Sequence, residues 1–162
     1  MKLPKWLNKI PQGTHGSGIA QKKLWRVCSD YVRIKDFYQF GTCISCGKRF
    51  THWRDGQCCH FRAYSVCRGY SKWETNNLFL GCSACNTAYD SNLVGKRFAE
   101  GIVERYGKQR LEQLENMTNR PIEKLEDSVI VEMTKDLIIL MADLPEQPDY
   151  WKQAYDLITQ ED

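Results

Sequence analysis

The chain lacks any long apolar run, although 42% of its 162 residues are apolar. No stretch of about 18 consecutive apolar residues occurs, so we expect no membrane-spanning helix. The first residues include lysines but no long apolar segment of the kind found in signal peptides, so we expect no secretory leader. The eight cysteines are therefore expected in a reducing cytoplasm, where paired thiols bind metals more often than they form disulfides.

Acidic residues are scarce at the start of the chain and abundant at its end. Residues 1–35 contain eight basic residues and one acid, residues 36–110 contain eleven and six, and residues 111–162 contain four and thirteen. The net charges of these parts are +7, +5 and −9. This asymmetry is typical of a protein that binds a polyanion through one part only. The predicted regions are a basic flexible arm (1–18), an N-terminal helix (19–40), a central core (41–110) and an acidic C-terminal helical region (111–162).

Helical apolar spacing also predicts helices after the core. One covers residues 93–117 with a break at Gly107. The next begins at Pro121 and ends before Pro145. Its apolar stripe is wider than a surface helix needs, so this helix either covers its own core or forms an interface.

Two Cys-x-x-Cys pairs bracket the central part of the chain: Cys43 with Cys46, and Cys82 with Cys85. Two intervening residues allow one tight turn to direct both sulfur atoms at one ion, and four thiolates form the tetrahedral cage that zinc prefers. The 35 residues between the pairs, from Gly47 to Gly81, exceed the spacing of a compact zinc ribbon, so further structure is inserted there. The pattern predicts structural zinc; two disulfides or free thiols are the alternative.

His60 is the candidate general base between the cysteine pairs. It lies in the run Gln57–Phe61, whose composition favours a β-strand, and an unperturbed imidazole has a pKa of about 6.5. Asn86 directly follows the second pair, in a predicted helix over 83–90, and its amide is the candidate ligand for a catalytic Mg²⁺ or Mn²⁺ ion. Asn77 is expected to hold the strand or to orient the imidazole. A lone histidine is more often a half-buried structural residue, but this combination favours a nuclease site of the HNH, or ββα-metal, type.

The central segment resembles the NinG (Rap) family of phage recombination proteins. Members carry a Cys-x-x-Cys pair, a Gln-Ala-Gly-His-Phe-like element, and an aromatic-Asp-Glu-x-Asn stretch before a second pair that is followed by Asn. The matching elements here are Gln57-Cys58-Cys59-His60-Phe61, Trp73-Glu74-Thr75-Asn76-Asn77 and Cys82-Ser83-Ala84-Cys85-Asn86. The layout is also similar to phage endonuclease VII, a treble-clef HNH resolvase. The resemblance covers residues 43 to about 107.

The resemblance implies an α+β fold, with a zinc-stapled treble-clef HNH core and flanking helices. It also implies a metal-dependent endonuclease that cleaves branched DNA, such as Holliday junctions, during phage recombination in the host cytoplasm. Zinc would be structural, and Mg²⁺ or Mn²⁺ catalytic. Because a junction needs two cuts, we expect a homodimer formed through the C-terminal helices.

One position departs from the pattern of many HNH enzymes, which place an acidic metal ligand directly before the base histidine. Here that residue is Cys59, a poor ligand for Mg²⁺, which prefers oxygen. Asp55 and Asp90 are the nearest carboxylates that could replace it. The departure keeps two other functions open: a zinc-dependent DNA-binding module without catalysis, and a recombination adaptor.

Basic residues of the predicted helix and core are the candidate contacts to branched or duplex DNA. They are Lys22, Lys23, Arg26, Arg54, Arg62, Lys96 and Arg97. Cationic side chains that neutralise phosphates release counterions and so supply most of the sequence-independent affinity for DNA.

Overall fold

The computed structural model describes residues 3–62, 72–117 and 125–161. The helices in these ranges are α1 (Ile19–Phe40), α2 (Ser83–Thr87), α3 (Asn92–Tyr106), α4 (Lys108–Asn116), α5 (Asp127–Leu140) and α6 (Trp151–Glu161). The strands are β1 (Gln57–His60) and β2 (Leu78–Gly81), and short 3-10 helices span Lys5–Lys9, Trp53–Asp55, Thr75–Asn77 and Met141–Asp143. The predicted α+β class is thus confirmed, whereas the treble-clef HNH assignment stays a prediction. None of these helices combines the length and hydrophobicity needed to span a bilayer.

β1 and β2 form an antiparallel pair in which Cys59 lies opposite Phe79 and His60 lies opposite Leu78. Successive side chains of a strand point to opposite faces. Cys59 accordingly packs with Phe79 in a core formed by the sheet with α3 and α4. Cys58, on the other face, packs against the larger core around α1. The strand that carries His60 therefore lies between two separate hydrophobic cores.

The N-terminal segment contributes to the larger core. Trp6, Leu7 and Ile10 are 2%, 1% and 0% exposed, and the 3-10 turn Lys5–Lys9 contacts α6. From residue 3, where the described part of the chain begins, this corrects the prediction of a flexible arm over residues 1–18. Prolines, glycines and positive charge favoured that prediction, but the three apolar residues form one face of a short turn. Burying each such side chain is worth about 1.5–3 kcal/mol.

α5 packs against α1 and α6, so the middle of its apolar stripe lies in the protein's own core. Leu137 and Met141 are 8% and 0% exposed, whereas Val129 and Leu140 are 41% and 48% exposed. The exposed residues leave the predicted homodimer untested. The predicted start of this helix at Pro121 lies outside the described residues. The predicted break before α4 occurs at Gly107, where φ is +86°.

Two buried aspartates join α1 to distant parts of the chain. The Asp36 carboxylate accepts hydrogen bonds from the Leu80 backbone N–H at 2.9 Å and the Tyr106 hydroxyl at 3.1 Å. Burial raises the pKa of Asp36. Asp30 accepts from the Tyr150 hydroxyl at 3.0 Å. These bonds fix α1 against β2, α3 and the residue before α6.

Candidate functional site

The four cysteines of the two pairs come together beside the end of β2. Their Sγ atoms all lie within 4.8 Å of one another, and those of Cys46 and Cys82 are 3.8 Å apart. A tetrahedral zinc ion with Zn–S bonds of about 2.3 Å places its sulfur ligands about 3.8 Å apart. The Cys82 backbone N–H donates to Cys43 Sγ at 3.3 Å. The predicted clustering of the four cysteines is therefore confirmed as a possible metal site, and its sulfur donors fit zinc.

Local turns explain how each pair reaches the cluster. In the first pair, the Cys43 N–H donates to the Lys48 carbonyl at 2.8 Å and the Gly47 N–H donates to the Cys43 carbonyl at 3.0 Å. Gly47 has φ +70°, a left-handed conformation that glycine adopts without steric cost. In the second pair, Cys82 is the N-cap of α2, and its sulfur accepts from the Cys85 N–H at 3.5 Å.

The other cysteines do not join this cluster. Cys28, Cys58 and Cys59 are free thiols, as are the four clustered cysteines, so no disulfide is formed within the described ranges. Burial raises the pKa of Cys59 to about 12, which keeps it protonated and unsuited to bind Mg²⁺. Cys67 lies outside the described residues.

His60 is half-buried at the end of β1, where its imidazole contacts a ring and a carbonyl group. The ring stacks on Trp25, with centroids 5.1 Å apart and planes at 8°. Nε2 lies 3.0 Å from the Lys72 carbonyl oxygen. In a neutral ring Nε2 then carries the proton, and the lone pair is on Nδ1. Burial lowers the pKa of His60 to about 4, so the imidazole is neutral at pH 7.

Asn77 is fully buried and holds the two residues that follow His60. Its Oδ1 accepts from the Arg62 backbone N–H at 2.9 Å, and its Nδ2 donates to the Arg62 carbonyl at 3.3 Å. Its own carbonyl accepts from the Phe61 N–H at 3.0 Å. The side chain therefore positions the end of the histidine-bearing strand.

Asn86 lies on a groove of about 350 Å³ formed by α1, α2, the start of β1 and the segment before α1. Asn86 is exposed, and its Nδ2 donates to Gln57 Oε1 at 2.8 Å. Trp25 and His15 also line this groove. The His15 and His60 ring centroids are 6.5 Å apart. His60 is not itself a lining residue, but its ring contacts two residues that are, Trp25 and His15.

Asp55 and Asp90, the carboxylates predicted to replace the acidic metal ligand before His60, lie outside this groove. Asp55 Oδ2 accepts from Thr51 Oγ1 at 2.7 Å and from the His52 N–H at 2.9 Å, so it caps the turn before β1. Asp90 is exposed and does not line the groove. Over the described ranges, no aspartate or glutamate lines this groove. His52 is part of the same cap, because its Nδ1 accepts from the Arg54 N–H at 3.0 Å.

The predicted DNA contacts divide into three groups. Arg26 lines the groove together with Asn86. Lys23 is 8% exposed and donates to the Ile10 carbonyl, while Arg62 donates to the Glu115 carbonyl near the end of α4 at 3.0 Å. Other parts of the protein thus engage the cations of Lys23 and Arg62, and their role as phosphate contacts stays a prediction. The remaining four have solvent-accessible side chains outside the groove and stay predictions: Lys22, Arg54, Lys96 and Arg97.

Sequence reasoning missed Trp25 and His15. Trp25 lies beside the apolar stripe of α1, and nothing in its spacing indicates a contact with His60, 35 positions later. His15 offered a signal, since it is one of three histidines in the chain and lies in the unusual stretch Gly13–Gly18. The assumption of a flexible arm obscured that signal.

The fold and the cysteine cluster together define a small α+β protein with a candidate structural zinc centre. The model of the family described as bacteriophage lambda NinG protein matches residues 16–138. Because the match covers more than half of the chain, the protein belongs to this family. The predicted NinG resemblance is confirmed, and the similarity to endonuclease VII stays a prediction. No curated protein and no solved structure matches the chain.

Proposed function

We propose that this protein is a metal-dependent HNH-type endonuclease that cuts branched DNA intermediates during phage recombination. The main supporting observation is the imidazole of His60 stacked on Trp25, which lines a groove together with Asn86 and Arg26. A neutral imidazole can accept a proton from water, and a cation in the groove favours binding of a phosphodiester. Membership of the NinG family is consistent with this role.

In the proposed reaction, Nδ1 of His60 takes a proton from a water molecule as the water oxygen attacks phosphorus. The bond from phosphorus to the 3′-oxygen breaks, and that oxygen is protonated by solvent. The products are a 5′-phosphate and a 3′-hydroxyl. The Lys72 carbonyl holds the Nε2 proton throughout and stabilises the imidazolium that forms. Asn77 maintains the position of the strand end.

Two metals belong to this proposal. Zinc on Cys43, Cys46, Cys82 and Cys85 would be structural, since four protein ligands leave no open position for substrate. A Mg²⁺ or Mn²⁺ ion would be held by Asn86 Oδ1, with water and DNA phosphate oxygens as its other ligands. When bound, that ion supplies charge stabilisation to the phosphate.

A second candidate function is DNA binding without cleavage. The absence of a carboxylate from the described lining of the groove favours it, because Mg²⁺ sites usually include at least one. A pKa of about 4 also makes His60 a weaker base than an unperturbed imidazole.

A homodimer would supply the two cuts that a four-way junction requires. We propose that two copies associate through the exposed part of α5, where Val129, Ile139 and Leu140 are 41%, 41% and 48% exposed. Two-fold symmetry of the dimer would match that of the junction.

Cleavage of a labelled four-way junction and of a linear duplex of the same sequence tests the function. We expect zinc-loaded protein to cut the junction faster, and only when Mg²⁺ or Mn²⁺ is added. Asn86→Ala should need more Mg²⁺, whereas Ser83→Ala, an exposed change on the same helix, should not. DNA binding without cutting under any metal condition would favour the second candidate instead.

A further inference from the structure

The segment Gln12–Ser17 is held against the first turns of α1. The Gly13 N–H donates to the Lys22 carbonyl at 2.9 Å. The Ser17 N–H and hydroxyl donate to Gln21 Oε1 at 3.0 and 3.2 Å. These bonds come from both ends of the segment, so the residues between them have a defined position along the helix.

Gly13 allows this close approach. A Cβ atom at Gly13 would lie 2.7 Å from Trp25 Cδ1 and 2.9 Å from the Lys22 carbonyl oxygen. Both distances are shorter than real Cβ contacts, and the second involves backbone that cannot easily move. A larger residue would therefore displace the segment from α1. Gly18 differs, because a Cβ there would meet nothing within 4 Å.

His15 lies in the middle of this segment and faces the groove. Its ring packs edge-on against Trp25, with centroids 4.7 Å apart and planes at 77°. Trp25 also carries the stacked ring of His60. One indole thus supports two imidazoles, and His15 is the more exposed of them.

The groove is suited to an anion. Arg26 and Arg33 line it, and both form ion pairs with the buried carboxylate of Asp30, Arg26 through Nε at 2.8 Å. Two cations and one anion leave a net positive charge, held in place before any ligand binds. Since no acidic side chain lines the described part of the groove, a phosphate oxygen would meet cations and hydrogen-bond donors there.

We propose that His15 is a phosphate-binding residue of this groove, and that its imidazole donates a hydrogen bond to a non-bridging oxygen of a bound phosphodiester, next to Arg26. The inference rests on the proposed function in taking DNA as the ligand, and it adds a contact from outside the cysteine-bracketed core. Burial lowers the pKa of His15, so at pH 7.5 the ring acts as a neutral donor.

Fluorescence anisotropy with a fluorescein-labelled four-way DNA junction, without added divalent ions, tests this contact. Losing one hydrogen bond to a charged oxygen should make His15→Ala bind about tenfold more weakly. His15→Gln and His15→Asn retain an N–H donor, and one of them should recover part of that loss. Gly13→Val should weaken binding to a similar extent while His15 is still present, whereas Gly18→Ala should bind like the wild type.

Wild-type affinity in a folded His15→Ala variant would overturn the inference, whatever Gly13→Val does. Thermal unfolding of each variant identifies any loss of affinity that arises from misfolding. If His15→Ala loses affinity only because it unfolds, and both amide variants show the same loss, that result also counts against the contact.

Adding Mg²⁺ to the same samples distinguishes the His15 proposal from the endonuclease proposal. A wild type that binds but does not cut removes the endonuclease proposal alone. A wild type that cuts, beside a His15→Ala variant that binds and cuts equally well, removes the His15 contact alone. A wild type that does not bind removes both.

Discussion

The imidazole of His60 and the indole of Trp25 are nearly parallel, with an angle of 8° between their planes and 5.1 Å between their centroids. Trp25 is 5% exposed and lies on α1, outside the segment that the cysteine pairs bracket. The helix before the core therefore sets the orientation of the candidate base. The candidate site consequently includes residues of both the N-terminal helix and the core.

The first prediction concerns the base. His60→Gln keeps an amide donor for the Lys72 carbonyl but cannot accept the proton from water, so the cleavage rate should fall by about 10²–10⁴-fold. Single-turnover cleavage of the junction measures this rate. The matched change His52→Gln affects the cap before β1 and should cut at nearly the wild-type rate. Wild-type cutting by a folded, zinc-loaded His60→Gln protein would assign the base to another residue.

The second prediction concerns pH. The pKa of His60 is lowered from 6.5 to about 4 by burial, so the unfolded chain binds more protons between these values. The stabilising contribution of the neutral ring is complete above about pH 6.5 and is lost as pH falls towards 4, by at most about 3 kcal/mol. Urea unfolding of the wild type and of His60→Gln at several pH values measures the contribution of His60 to the free energy of unfolding, because both proteins retain the cysteine cluster. Parallel pH profiles for the two proteins would contradict the low pKa.

The fall of the cleavage rate at acidic pH should follow the protonation of His60. Because His60 must be neutral to act as the base, kcat/KM should stay near its plateau down to about pH 5. A limb centred near pH 6.5 would indicate an unperturbed histidine as the base.

The third prediction concerns zinc. The chain should hold one zinc ion, and Cys82→Ala should lose it and unfold the core, since bound zinc supplies much of the folding free energy of small metal domains. Cys58→Ser, which lies outside the cluster, should keep the ion. Elemental analysis of protein purified without chelator, combined with circular dichroism, measures both effects. Protein free of zinc yet folded would show that the cluster is not a structural metal site.

The fourth prediction concerns the N-terminal segment. Leu7→Ala and Ile10→Ala should each lower the free energy of unfolding by about 2–5 kcal/mol, because both side chains are fully buried and their removal leaves cavities. Lys9→Ala, an exposed change in the same turn, should alter it by less than about 0.5 kcal/mol. Denaturant unfolding provides the values. If all three variants were as stable as the wild type, the prediction of a flexible N-terminal arm would be supported instead.

The fifth prediction concerns assembly. Leu140→Asp places a charge on the exposed part of α5 and should yield monomers that keep zinc and nick one strand without paired cuts. Leu137→Asp should instead unfold the protein, since Leu137 is 8% exposed within its own core. Sedimentation at micromolar concentration distinguishes these outcomes. A wild type that is monomeric both alone and on junction DNA would exclude the dimer.

Much of the fold was predictable because local patterns determine it. The spacing of two Cys-x-x-Cys pairs predicted a cluster that is present, and the apolar stripe of residues 19–40 predicted a helix that coincides with α1. The run Gln57–Phe61 predicted a strand that coincides closely with β1. Each of these features depends on residues near one another in sequence.

The features that could not be predicted depend on long-range packing. Burial of Trp6 and Leu7 requires α6, which lies about 145 residues later. The ammonium of Lys23 has its position because the Ile10 carbonyl lies beside it, and charge counting cannot distinguish such a lysine from a solvated one. The same limitation hid the contact between Trp25 and His60.

The bond between Asp30 and Tyr150 joins residues 120 positions apart. During synthesis the cysteine pairs leave the ribosome well before Tyr150, so all four cysteines are available while α1 still lacks its partners near the C-terminus. Trp25 is on α1, and the core behind it is complete only after α6 has been translated. A nascent chain of the proposed enzyme would therefore have all four cysteines before the core behind Trp25 is complete.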